Sequence, residues 1–106
     1  MYDPSRKQQL YVAISRVAPN PPKLKVTPEQ LHAEHRAWLQ TLSDRKMLVG
    51  SGPARDENNK NHAGAIMIFR CKSFPEAEKL AREEPNVREG QRISEVLPWH
   101  RMWFED

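Results

Sequence analysis

A chain of 106 residues is expected to form one compact domain with enough interior to fold alone. Its 17 basic and 14 acidic residues are mixed along the chain and leave a net charge of +3, a solvated surface rather than a nucleic-acid stripe. The single cysteine, Cys71, excludes an intrachain disulfide, and no apolar run approaches the roughly 20 residues of a membrane helix. The opening residues also lack the apolar stretch of a secretory signal. The expectation is a soluble cytoplasmic protein with no membrane and no nucleic-acid partner.

Residues 1–8 are polar and read as a loose N-terminal tail, which leaves residues 9–106 as a single domain. Residues 9–17 (QLYVAISRV) alternate Leu10, Val12 and Ile14 against Tyr11, Ala13 and Ser15, the period of a strand. Residues 18–26 carry three prolines and two lysines without periodicity and read as an exposed connector. A helix follows. Thr27 supplies a hydroxyl N-cap, Pro28 takes the first helical position, and Gln30 completes a capping box. Leu31, Trp38, Leu39 and Leu42 then share one face, and Arg45 and Lys46 suit the negative end of the helix dipole. Residues 47–49 form a short apolar strand that runs into Gly50-Ser51-Gly52-Pro53, read as a tight turn.

Residues 55–62 (RDENNKNH) are a polar loop or hairpin tip, and residues 63–72 (AGAIMIFRCK) are the best strand candidate. Ser73 and Glu76 repeat the capping signal for a second helix that ends near Glu84-Pro85, with Ala77, Leu80 and Ala81 facing inward. Residues 86–91 form a loop around Gly90, and residues 92–97 alternate as a last strand. Pro98 interrupts that strand, and the aromatic tail of residues 99–104, with Trp99, Trp103 and Phe104, is a candidate to resume it. The order β-α-β-β-α-β is that of the α+β ferredoxin-like fold, a four-stranded antiparallel sheet with both helices on one face. The other sheet face also reads as apolar, so a second copy is expected to cover it. That predicts a homodimer, a dimeric α+β barrel.

Two polar residues stand on apolar stripes. His35 lies four residues after Leu31 and three before Trp38, and Glu84 follows Ala77, Leu80 and Ala81 by seven, four and three. An unpartnered polar group in a core costs on the order of 1–3 kcal/mol, so each needs a partner. His35 is either a core histidine satisfied by a backbone carbonyl or a working group, and Glu83 competes with Glu84 for the inward position. His32, His35, His62 and His100 match no metal-ligand spacing, and Gly50-x-Gly52 is not a dinucleotide fingerprint because Pro53 follows instead of a helix. No metal and no cofactor is expected. The third strand lacks the basic-Gly-aromatic pattern of an RNA platform, and Cys71 reads as a buried bystander.

The run His35-Arg36-Ala37-Trp38-Leu39-Gln40, followed by Met47-Leu48-Val49-Gly50-Ser51-Gly52-Pro53, resembles the YCII-related family of the dimeric α+β barrel superfamily. The capped helix ending at Glu84-Pro85 and the closing Pro98-Trp99 extend the resemblance from about Leu10 to Phe104. It implies a pocket for a small-molecule ligand between helices and sheet, with His35 as acid/base and Glu84 as its orienting carboxylate. Tyr11, Ser51, Gly52 and Trp99 complete the expected ligand-binding set. Some relatives are dehydrochlorinases or lactone isomerases acting on small ring compounds, which implies a cofactor-independent lyase or isomerase. The alternative is a non-catalytic binding or accessory domain of the same fold. This chain departs from the family where Glu84 replaces an aspartate and Lys46 replaces a glycine. Arg92 or Arg101 would neutralise substrate charge, and nothing in the sequence selects between them.

Overall fold

The computed structural model describes residues 1–58 and 64–105. Strand β1 (Gln8–Val17) is followed by helix α1 (Pro28–Asp44), strands β2 (Leu48–Ala54) and β3 (Gly64–Phe69), helix α2 (Phe74–Glu83), a single turn α3 (Pro85–Arg88) and strand β4 (Arg92–Arg101). All pairings are antiparallel, in the order β2-β3-β1-β4. This is the ferredoxin-like α+β arrangement expected from the element order. Ala63, expected to open the third strand, and His62 lie outside the described residues.

Cross-strand partners share a sheet face, so the register assigns the faces. Tyr11, Ala13 and Ser15 pair with Phe69, Met67 and Ala65 on one side and with Pro98, Val96 and Ser94 on the other. This face carries the core, where Ala13 and Phe69 are fully buried and Ala77, Leu80 and Ala81 of α2 pack down. From α1, Leu31 and Leu42 are buried, and the Trp38 ring meets Phe69 edge-on at 6.2 Å. The opposite face carries Val12, Ile14, Ile66, Ile68, Ile93, Leu97 and Trp99; Ile66, Ile93, Leu97 and Trp99 on it are 40–56% exposed.

Two local expectations change, and the reading that the aromatic tail resumes the last strand holds beyond Pro98. β4 runs through it to Arg101 because it is an edge strand, where a proline nitrogen need not donate into the ladder. Gly50-Ser51-Gly52-Pro53 is not a turn but the body of β2, which also borders the sheet. Neither glycine adopts positive φ, and a bulge between Leu48 and Gly50 absorbs the irregularity. Residues 1–8 are not loose. The Met1 ammonium and backbone N–H of Asp3 donate to the carbonyls of Phe104 and Met102, Tyr2 bridges to Trp103, and the Arg6 guanidinium lies 3.9 Å above the Phe104 ring.

The end of α1 explains Lys46. Met47 N–H donates to Leu42 O and Lys46 N–H to Ser43 O, which together form a Schellman cap. That cap needs a left-handed residue after the C-cap, and Lys46 adopts it at φ 62°. A Cβ-bearing residue is strained there, by about 1–2 kcal/mol relative to its right-handed form. Lys46→Gly is therefore expected to raise the unfolding free energy by roughly 0.5–1 kcal/mol, with glycine's larger unfolded-state entropy offsetting part of the gain. Urea denaturation of the two proteins checks this.

Candidate active site

His35 reaches the core face because α1 is held by its N-cap. Thr27 Oγ1 accepts from Gln30 N–H at 3.1 Å, Gln30 Oε1 accepts from Thr27 N–H at 2.9 Å, and Pro28 opens the helix. That fixes the helix phase, so the imidazole shares the stripe of Leu31 and Trp38. Glu84 reaches the same point by a different route. It is not in the last turn of α2 but at its C-cap, extended at φ −56° and ψ 127°, and serves at the same time as the N-cap of α3. Pro85 imposes this break, since the residue before a proline is pushed out of the helical region.

The two side chains meet. His35 Nδ1 stands 2.6 Å from Glu84 Oε1, with Glu84 only 2% exposed. Glu83 points to solvent and lies 3.9 Å from Lys79 instead, so Glu84 is the inward carboxylate. The extra methylene of Glu84, compared with the aspartate that the resemblance leads one to expect, does not prevent the pair. Glu84 Oε1 also accepts from Asn86 N–H at 3.1 Å and from Asn86 Nδ2 at 2.9 Å, and Oε2 accepts from Val87 N–H at 3.2 Å. An ionised carboxylate only accepts, so the proton of the His35 bond sits on Nδ1. Nε2 is then left as the nitrogen that can exchange a proton.

His35 and Glu84 border a cavity of about 350 Å³, within the size range of small-molecule sites. Its floor is Ser15 of β1 with Ala65 and Met67 of β3, and its side is Ser51, Gly52 and Pro53 of β2. Ser51 pairs with Met67 and so shares the cavity face, whereas Gly52 pairs with Ile66 on the other face and meets the cavity with backbone alone. Asn86, Arg55 and Arg92 close the polar end.

Tyr11 and Trp99 are not brought into the cavity. Tyr11 is on the helix side but 7% exposed in the core, with its ring 6.2 Å from Phe74. Trp99 pairs with Leu10 on the opposite face, because β4 continues through Pro98 and its alternation is kept. Of the two arginines, Arg92 lines the cavity, while Arg101 lies against Phe104 at 4.8 Å. His32 is an addition. It reads as a surface residue in the sequence, yet its ring stacks at 6.3 Å from that of His35 and borders the cavity. The i, i+3 spacing of the two histidines was the available signal.

The family model of the YCII-related domain matches residues 10–100. The chain belongs to the YCII-related family. Among solved structures, this YCII-related protein is similar to 5-chloro-2-hydroxyhydroquinone dehydrochlorinase from Burkholderia phenoliruptrix AC1100, determined with 2,5-dihydroxybenzoquinone. The TM-score is 0.57 at 20% sequence identity, over 85% of this chain and 92% of that one. This likeness establishes the shared fold. No curated protein matches the chain. Among the described residues, no helix is long and apolar enough to cross a membrane, and no three His, Cys, Asp or Glu side chains gather as a metal site would require.

Burial pushes the Glu84 carboxyl upward, but the hydrogen bonds from His35 and Asn86 outweigh it and hold the group below its ordinary value of 4.5. A carboxylate depressed in the folded state contributes stability that is complete above its unfolded pKa and lost as pH falls through the folded one. Glu84→Gln is therefore expected to lower stability near neutral pH by about 1–3 kcal/mol. It should also flatten the loss of stability below about pH 4.5. Denaturant titrations of both proteins from pH 3 to 7 check both parts.

Proposed function

We propose that this YCII-related protein is a small cofactor-independent enzyme of the lyase or isomerase type, acting on a small ring compound with His35 as general acid/base. The observation that carries this reading is the 2.6 Å bond between His35 Nδ1 and the buried Glu84, at the wall of a cavity of single-ring size. Glu84 fixes the tautomer, and Nε2 accepts a proton from the substrate. The dehydrochlorinase activity of the structural neighbour supplies a concrete reaction of this type. A chlorinated, hydroxylated ring first takes its keto form, in which one hydroxyl proton has moved to the chlorine-bearing carbon and made it tetrahedral. Nε2 then takes the proton of a second hydroxyl conjugated to that carbon. The released electron pair forms the new double bond, and chloride leaves with the pair of the C–Cl bond. The net change is loss of HCl, and no oxidant is required. In an isomerase, Nε2 would return the proton to another ring carbon and shift the double bond.

The same proposal includes a homodimer closed over the sheet face that carries Ile66, Ile93, Leu97 and Trp99, and a cytoplasmic setting. Four large side chains exposed on one sheet face support the dimer. Sedimentation is expected to give a dimer for the wild type and a monomer for Leu97→Glu, because a charge there would be buried without a partner.

For the chemistry, 5-chloro-2-hydroxyhydroquinone is the first substrate to test, with free chloride and quinone absorbance as readouts. His35→Gln is expected to lower kcat by about 10²–10⁴-fold, the usual contribution of a positioned acid/base. Glu84→Gln should lower it by a smaller factor, since the imidazole survives without its orienting charge. Saturable binding of the ring without turnover by the wild type would instead make the protein a binding module of the same fold.

A further inference from the structure

The cavity holds two groups that the proton transfer does not use. Arg92 begins β4, lines the cavity, and has its Nη1 atom sealed from solvent with no hydrogen-bond partner. Two residues along the same face of the strand, Ser94 Oγ is likewise buried and without a partner, and Ser94 pairs directly with Ser15 of the cavity floor. Buried polar atoms are almost always hydrogen-bonded, and leaving a guanidinium nitrogen unmatched is the costlier of these two exceptions. The charges of the lining agree. Among the described residues of the lining Glu84 is the one carboxylate, and it already accepts four hydrogen bonds from His35, Asn86 and Val87. Arg92 thus brings to the polar end of the cavity a donor that no described residue receives.

We infer that Arg92 is the specificity-determining residue of an anion subsite, and that among small ring compounds the cavity prefers those that carry a carboxylate. A guanidinium presents its donors in a planar fork that matches a carboxylate, and such charge-assisted bonds are about twice as strong as neutral ones. The carboxylate seats on Arg92 and the ring extends toward His35, so the anion sets which ring position faces Nε2. This deepens the proposed function and rests on the reading of the cavity as a ligand site. It does not depend on whether turnover occurs.

The test is equilibrium binding, by calorimetry or by amide chemical shifts, of 2,5-dihydroxybenzoate and of 2,5-dihydroxybenzamide, which share a ring and differ in charge. The wild type is expected to bind the acid at least about 10-fold tighter than the amide. Arg92→Gln should remove that preference by weakening the acid alone, Arg92→Lys should keep part of it, and added salt should weaken the acid but not the amide. Far-UV circular dichroism and an amide spectrum establish that each variant is folded, with Arg92→Lys as the milder change if Arg92→Gln is not. The same titrations in His35→Gln separate the two ideas. Acid preference that persists there upholds the anion subsite independently of the proton transfer, and if the wild type binds the acid but never turns over a substrate the enzyme reading falls while the subsite stands. Chloride release with no acid preference does the reverse. Equal binding of acid and amide, no binding of either, or a preference that survives Arg92→Gln overturns the inference.

Discussion

A buried carboxylate has to be surrounded by donors, and in this protein that requirement organises both the fold and the site. Glu84 accepts from one imidazole, one side-chain amide and two backbone N–H groups. The backbone donors are the unpaired ones of a one-turn helix too short to persist without its cap. The imidazole comes from a helix 49 positions earlier in the chain. One side chain thus joins α1 to the corner between α2 and α3 and holds the imidazole at one tautomer. Any ligand chemistry at His35 inherits that rigidity.

The sheet register then decides what else can take part. Alternation sends Ser15, Ala65, Met67 and Ser51 to the cavity and sends Ile66, Leu97 and Trp99 to the other side. A residue's chemistry matters only after its parity, and the exclusion of Trp99 from the cavity follows from that alone. Arg92 has the right parity and lies at the end of its strand, beside the corner that Glu84 holds. Arg101 lies at the opposite end of the same strand and packs on Phe104 instead.

Much of this was legible in the chain. The helix-period stripes of Leu31, Trp38 and Leu42 and of Ala77, Leu80 and Ala81 are strong, and a polar residue on each is conspicuous, so His35 and Glu84 could be found before any contact was known. Element order gave the topology for the same reason. What was hidden depended on position in three dimensions. Pro53 and Pro98 look like strand breakers until the sheet order makes β2 and β4 its borders. The left-handed geometry of Lys46 is invisible because lysine seldom adopts it. The docking of Met1 and Asp3 on the other end of the chain comes from backbone hydrogen bonds, which carry no side-chain signature.

The two border strands have a consequence for how the protein behaves in a crowded solution. β2 carries Pro53 and β4 carries Pro98 within their lengths, so each rim of the sheet lacks one main-chain donor. A strand edge with an uninterrupted row of N–H and C=O groups is a template for other chains, and proline is one of the devices that spoil it. With both rims interrupted, the sheet resists lengthening strand by strand into a fibre. In the proposed dimer, self-association would use the broad apolar face instead of the rims, and growth there would stop once two surfaces had met.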